Sequence, residues 1–169
     1  MHAQFQILPL DPDYLARIRE RGHDDLDNPF VPMTCADEGL PLRCCLRDAR
    51  VSESIALIAY QPATVGGPYA EIGPVFVHAD ACTGYVTHGH YPEGFRDRTQ
   101  IFRAYDNEGR QIDNRMVAGV DAESHIAELL AQPGVSFIHS RNVLAGCYMF
   151  AILPIGDAAV QPVSRVFRQ

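Results

Sequence analysis

Ser54-Ile55-Ala56-Leu57-Ile58-Ala59-Tyr60 is a short apolar run that ends just before Pro62 opens a glycine- and proline-rich loop. A run of this length between turn residues has the dimensions of a strand and is too short for a typical buried helix. It reads as a central strand, and its neighbours extend the pattern. Upstream, Leu42, Cys44 and Leu46 alternate with Arg43, Cys45 and Arg47, the period of a half-buried strand over 40–47. Downstream, Pro74-Val75-Phe76-Val77 marks a strand over 72–78. Stretches 99–106 and 110–118 flank Asn107-Glu108-Gly109, a hairpin turn with a glycine free to take positive φ. Stretches 135–140 and 145–153 flank Arg141-Asn142. Short turns between β-rich segments predict a mainly antiparallel sheet of about seven strands.

Two helices complete the pattern. Asp11 suits an N-cap, Pro12 the first helical position and Gly22 the stop, giving a short surface helix over 11–21. Asp121 caps a second helix through Gln132, ended by Pro133-Gly134. Residues 80–98 show no period and read as a long structured loop. The expectation is a single α+β domain over 1–169, with an unpatterned tail from 154 to 169.

Composition narrows the function. The 169 residues carry a net charge of -7, and all 14 basic residues are arginine. Without lysine there is no Schiff-base, P-loop or kinase-type chemistry, and the acidic balance argues against nucleic acid as a partner. Val65-Gly66-Gly67-Pro68 therefore reads as a turn rather than a phosphate loop. No apolar run approaches the ~20 residues of a membrane span, and the first residues lack the marks of a signal peptide. Five cysteines, an odd number without Cys-x-x-Cys, read as reduced thiols in a cytoplasmic protein. On a strand, Cys44 and Cys45 point to opposite faces and cannot share a metal.

Four blocks in order resemble the family called domain of unknown function 1203. They are Arg43-Cys44-Cys45-Leu46-Arg47-Asp48-Ala49, Tyr69-Ala70-Glu71-Ile72-Gly73-Pro74-Val75-Phe76-Val77-His78, Arg103-Ala104-Tyr105-Asp106, and His139-Ser140-Arg141-Asn142 with Gly146-Cys147. The resemblance spans about 40–153 and implies a single-domain protein of similar length. It implies no activity and no substrate.

Three constellations carry chemistry. Ile101, Arg103 and Tyr105 share one strand face, and Phe137, His139 and Arg141 share another, so charged groups sit beside a core. Such groups are paired or bind an anion, and a guanidinium fork matches carboxylate or phosphate at two points. The leading expectation is a small-molecule binding domain, with or without catalysis. Its anion pocket draws on Arg43, Tyr69, His78, Arg103, Tyr105, His139, Arg141 and Asn142. The rival is a non-catalytic structural or interaction domain, in which Arg103 or Arg141 pairs with Glu71, Asp48 or Asp106 and locks strands together. No cofactor or metal is expected; the weaker alternative is a site built from His78, Cys82, His88 and His90. A thiol–imidazole pair of Cys82 or Cys147 with His78 or His139, oriented by Asn142, is the third candidate, without a protease signature to support it. The sequence specifies no oligomeric state and no reaction.

Overall fold

A computed structural model describes residues 5–62 and 66–155. In chain order the elements are β1 (Phe5–Leu8), α1 (Pro12–Arg21), β2 (Met33–Thr34), β3 (Pro41–Leu42), β4 (Arg47–Asp48), β5 (Ser54–Tyr60), β6 (Gly73–His78), β7 (Thr99–Tyr105), β8 (Gln111–Ala118), α2 (Ala122–Leu130), β9 (Phe137–Asn142) and β10 (Tyr148–Pro154). The α+β class stands, but the expected single sheet of seven strands is two sheets of five. One runs β1-β10-β9-β7-β8 and is antiparallel throughout. The other runs β2-β5-β6-β3-β4 and contains one parallel pairing, Leu42 with Phe76.

The reason for the split lies at 40–47, where the expected strand does not form. Leu46 takes a left-handed backbone (φ 55°) and its N–H donates to the Leu42 carbonyl at 3.0 Å, closing a single helical turn. Only the flanking pairs β3 and β4 remain extended. The alternation of Leu42, Cys44 and Leu46 with Arg43, Cys45 and Arg47 is thus the signature of a turn whose apolar and polar members are nearly all shielded from water. Arg43 explains the arrangement. Its side chain is 1% exposed and crosses between the sheets. Nε donates to the Tyr148 carbonyl at 2.8 Å, one Nη to the Pro41 carbonyl, and the other to Cys147 Sγ at 3.0 Å. A buried cation is tolerated only when its donors are met, and a straight strand would not aim the guanidinium at both sheets.

Two principal cores flank the antiparallel sheet. On one face Phe102, Ala104, Ile138, Phe150 and Ile152 pack with Ile126 and Leu129 of α2 and with Tyr91 and Phe95 from the loop after β6. On the other, Tyr148 and Ala151 join Leu42, Ile55, Ile58, Val75 and Val77 of the second sheet and Leu15 and Ile18 of α1. Side chains of β10 alternate between the two cores, and a register shift between Tyr148 and Phe150 puts Tyr148 and Ala151, three residues apart, in the same one. Helix α1 forms as expected: Asp11 Oδ1 accepts from the Asp13 N–H at 2.9 Å, and Gly22 (φ 77°) closes the C-terminus. Helix α2 ends two residues before Gln132. It follows a 3-10 turn, Gly119–Asp121, and Asp121 gives no side-chain cap. Gly119 is required there, because a Cβ would stand 2.3 Å from the Phe95 carbonyl. Among the described residues, no helix is long and apolar enough to cross a membrane. The C-terminal tail from 156 and the loop residues 63–65 lie outside the described residues.

Candidate functional site

The period of two along β7 and β9 carries directly into a site. Register places Arg103 beside His139 and Ile101 beside Arg141, so the two arginines and the histidine share the sheet face opposite α2. The second sheet brings Glu71 over this face, from the segment that leads into β6. Its carboxylate takes both cations. Arg103 Nη1 donates to Oε1 and Oε2 at 3.0 and 3.2 Å, and Arg141 Nη1 pairs with Oε2 and also donates to the Gly146 carbonyl at 3.1 Å. Arg141 is 5% exposed, and its Nε finds no acceptor among the described residues. Around this triad lies a cavity of about 320 Å³, walled by Tyr60, Cys147 and Tyr148.

His139, on the same face beside Arg103, has no exposed surface and does not line the cavity; it is ringed by Tyr105, Phe137 and Tyr148 at centroid distances of 5.1–5.3 Å. Burial, with the Arg141 and Arg103 charges adding to it, pushes its imidazole down to about 3, so it is neutral at physiological pH. Burial also raises the Tyr148 hydroxyl well above its ordinary value. The histidine beside the two arginines is therefore uncharged, while the cavity wall carries two cations against one carboxylate.

Of the residues expected to line one pocket, the structure unites Arg103, His139 and Arg141. Arg43 approaches from behind through Cys147, as a buried strut; burial lowers its pKa. Tyr69 is half exposed on the 3-10 turn Gly67–Tyr69 and does not line the cavity. Tyr105 packs on Phe137 inside a small cluster with Leu153. Asn142 ties the turn after β9, its Oδ1 accepting from the N–H groups of Leu144 and Ala145. Asp48 and Asp106 pair instead with Arg98 and Arg110. The sequence reading passed over Tyr60, Tyr148 and the double role of Glu71. These contacts join the two sheets, and no local pattern encodes that joining.

His78 belongs to a different cluster. Its ring meets Cys44 Sγ and Cys45 Sγ through Nδ1, at 3.4 and 3.8 Å, and Cys82 completes a group whose ligand atoms all lie within 4.8 Å of one another. The expectation that Cys44 and Cys45 point apart fails because the pleat is broken at Leu46. On the other side of the ring, Nε2 lies 3.3 Å from Arg47 and 3.7 Å from Glu53, and Arg47 holds Glu53 in a two-point pair at 2.6 and 2.9 Å. That pairing pulls the Glu53 carboxyl down to about 2. The Cys44 thiol donating to Cys45, with Arg47 close by, holds Cys45 below the ordinary thiol range, whereas burial raises Cys82. His88 and His90 are not part of the cluster: His88 Nδ1 sits 2.8 Å from the Ile7 carbonyl, and the His90 carbonyl accepts from Tyr85. Cys147 lies in the anion cavity wall, away from His78, so the Cys147–His78 pairing does not form. All five cysteines are free thiols.

No curated protein and no solved structure matches the chain. The profile of one protein family does, over residues 39–153, which includes the Cys44, Cys45, His78 and Cys82 cluster as well as Glu71, Arg103, His139 and Arg141. The chain therefore belongs to the family described as protein of unknown function (DUF1203).

Proposed function

We propose that this domain binds a small carboxylate-bearing molecule in the cavity between its sheets, with Arg103 and Arg141 as the two-point receptor. The observation that carries this reading is the Glu71 carboxylate, which already lies across both guanidinium groups. It marks where a ligand carboxylate would sit and how it would be gripped. Two cations against one carboxylate leave a positive charge beside a core, and Arg141 Nε retains an unused donor. A ligand with a second anionic group, or one that displaces the half-exposed Glu71, relieves that imbalance. The Tyr60 and Tyr148 rings offer an apolar seat for the remainder of the molecule. Inorganic phosphate is the competing ligand chemistry. The five free thiols support a reducing, cytoplasmic setting.

The same Glu71 contact favours a second reading, in which it is a permanent lock between the sheets. Thermal unfolding at fixed ionic strength separates the two, using mono- and dicarboxylates and phosphate with wild type, Glu71→Gln, Arg103→Ala and Arg141→Ala. For a ligand at a hundredfold excess over Kd, binding adds about 2.7 kcal/mol, or roughly 5–10 °C in Tm for a domain of this size. Glu71→Gln should strengthen the response by removing the internal competitor, and each arginine variant should abolish it. If no anion shifts either wild type or Glu71→Gln, the lock reading holds and the receptor is rejected.

A further inference from the structure

We propose that Cys44, Cys45, Cys82 and His78 form a closed tetrahedral zinc(II) site that staples the long loop after β6 to the turn between β3 and β4. The inference is independent of the anion cavity and uses none of its residues. Three cysteines and one histidine make one of the standard ligand sets of structural zinc, and the distances fit it. A tetrahedron with Zn–S bonds of about 2.3 Å and a Zn–N bond of about 2.0 Å has edges of roughly 3.5–3.8 Å. The two sulfur-to-Nδ1 separations given above, 3.4 and 3.8 Å, span that edge, and no ligand pair exceeds 4.8 Å. A contraction of about 1 Å at the widest edge closes the figure.

The surroundings of the sulfurs point the same way. Cys44 Sγ accepts the His78 backbone N–H at 3.3 Å. An amide aimed at sulfur stabilises thiolate rather than thiol and is the kind of outer partner that tunes a metal site. Gly84, at φ 73°, lets the loop fold close over the Cys44 carbonyl. Around the cluster stand two arginines. Arg47 lies against the outer nitrogen of His78, and Arg19 donates to the His78 and Ala79 carbonyls, both at 3.0 Å. Three thiolates on a divalent ion leave one negative charge, which Arg19 is left to offset, since Arg47 already pairs with Glu53. When Nδ1 binds the ion, the imidazole proton resides on Nε2, so the ring must shift from the Arg47 guanidinium, 3.3 Å away, toward the Glu53 carboxylate, 3.7 Å away, for Glu53 to accept it. Binding releases the three thiol protons to solvent and involves no change of oxidation state.

Four protein ligands leave no open position, so the ion would be structural. Its mechanical effect follows from the chain: residues 79–98 contain only the 3-10 turn Glu93–Phe95, and beyond Ala79, which Arg19 and Ser54 hold, Cys82 would anchor the loop.

The test uses the full chain, purified under reducing conditions, stripped with a chelator and titrated with Zn²⁺ or Co²⁺. One equivalent should bind and survive gel filtration. The cobalt form should show thiolate-to-metal charge transfer in the near ultraviolet and intense tetrahedral visible bands. Cys45→Ser and Cys82→Ser should lose the three-thiolate spectrum, whereas Cys35→Ser, in a thiol outside the cluster, should keep it. Glu53→Gln should retain the spectrum with affinity about 10–100-fold lower. Should a ligand variant fail to fold, alkylation of the wild type decides the matter, since zinc should shield Cys44, Cys45 and Cys82 and leave Cys147 as reactive as before. Absence of stoichiometric metal in the reduced wild type, an octahedral cobalt spectrum, a tetrahedral spectrum unchanged in Cys82→Ser, or alkylation unaffected by zinc would each overturn the assignment.

Discussion

Acidification should unfold this protein through one imidazole. His139 has no exposed surface, and its folded-state pKa of about 3 compares with 6.5 for the free side chain. Below pH 6.5 the unfolded chain takes up a proton that the folded one refuses, so stability falls as pH drops and the loss is complete only near pH 3. The size follows from the two values. At pH 5 the folded imidazole is still neutral, and the cost is about 1.36 kcal/mol for each of the 1.5 pH units below the unfolded value, or roughly 2 kcal/mol. That is about a thirtyfold fall in the folding constant. The assay is urea unfolding of wild type and His139→Gln at pH 7.5 and pH 5. Glutamine keeps a polar group in place but cannot titrate, and comparing the pH slopes cancels whatever the substitution does to packing. Carboxylates with lowered pKa values, such as Asp106, lose their contribution at lower pH and affect both proteins alike. The wild type should lose about 2 kcal/mol more than the variant between the two conditions. Equal losses would refute the claim that His139 is buried neutral between two arginines.

Arg43→Met, which keeps the alkyl stem but removes the guanidinium, should orphan the Pro41 and Tyr148 carbonyls and cost about 2–4 kcal/mol at 1–2 kcal/mol for each unmet acceptor, read as a Tm fall of roughly 5–15 °C; an unchanged Tm would mean the buried cation gains nothing over an apolar isostere. Gly119→Ala should cost about 3 kcal/mol, because its Cβ must displace the Phe95 carbonyl rather than a movable side chain, and calorimetry showing less than about 1 kcal/mol would contradict the close approach. Gly22→Ala should cost about 1 kcal/mol through the left-handed cap of α1, measurable as a shift in urea midpoint with unchanged slope.

Local patterns were legible wherever the chain obeys them. The run Ser54–Tyr60, the hairpin around Asn107-Glu108-Gly109 and the Asp11-Pro12…Gly22 helix all follow from neighbouring residues, and the shared face of Arg103, His139 and Arg141 follows from a period of two. The misreading began at residues 42–47, where a polar–apolar alternation indistinguishable from a strand covers a turn. No glycine or proline marks the left-handed position, which Leu46 occupies against its own preference because burial in the first core outweighs the strain. From that point the errors propagate together. A strand there implies one sheet, separates Cys44 from Cys45, and puts Arg43 on a surface with Arg47. Glu71 belonged to the strand-locking alternative, but that it holds two arginines at once depends on how the sheets meet, a relation between residues distant in sequence.

The placement of β1 against β10, with Phe5 opposite Pro154, has a consequence for how the chain is made. Among the described residues, β1 pairs with no strand but β10, which lies far along the chain and also separates β1 from β9. Until residues 148–154 emerge, the β7–β8–β9 portion has an unpaired β9 edge and lacks the Phe150 and Ile152 side chains of its core. Closing so long a loop is entropically slow, and an open edge on a hydrophobic sheet is a template for a neighbouring chain. A nascent or truncated chain ending before β10 is therefore the form in which this protein is most exposed to aggregation, and β10 is the piece that converts a sticky intermediate into a sealed sheet.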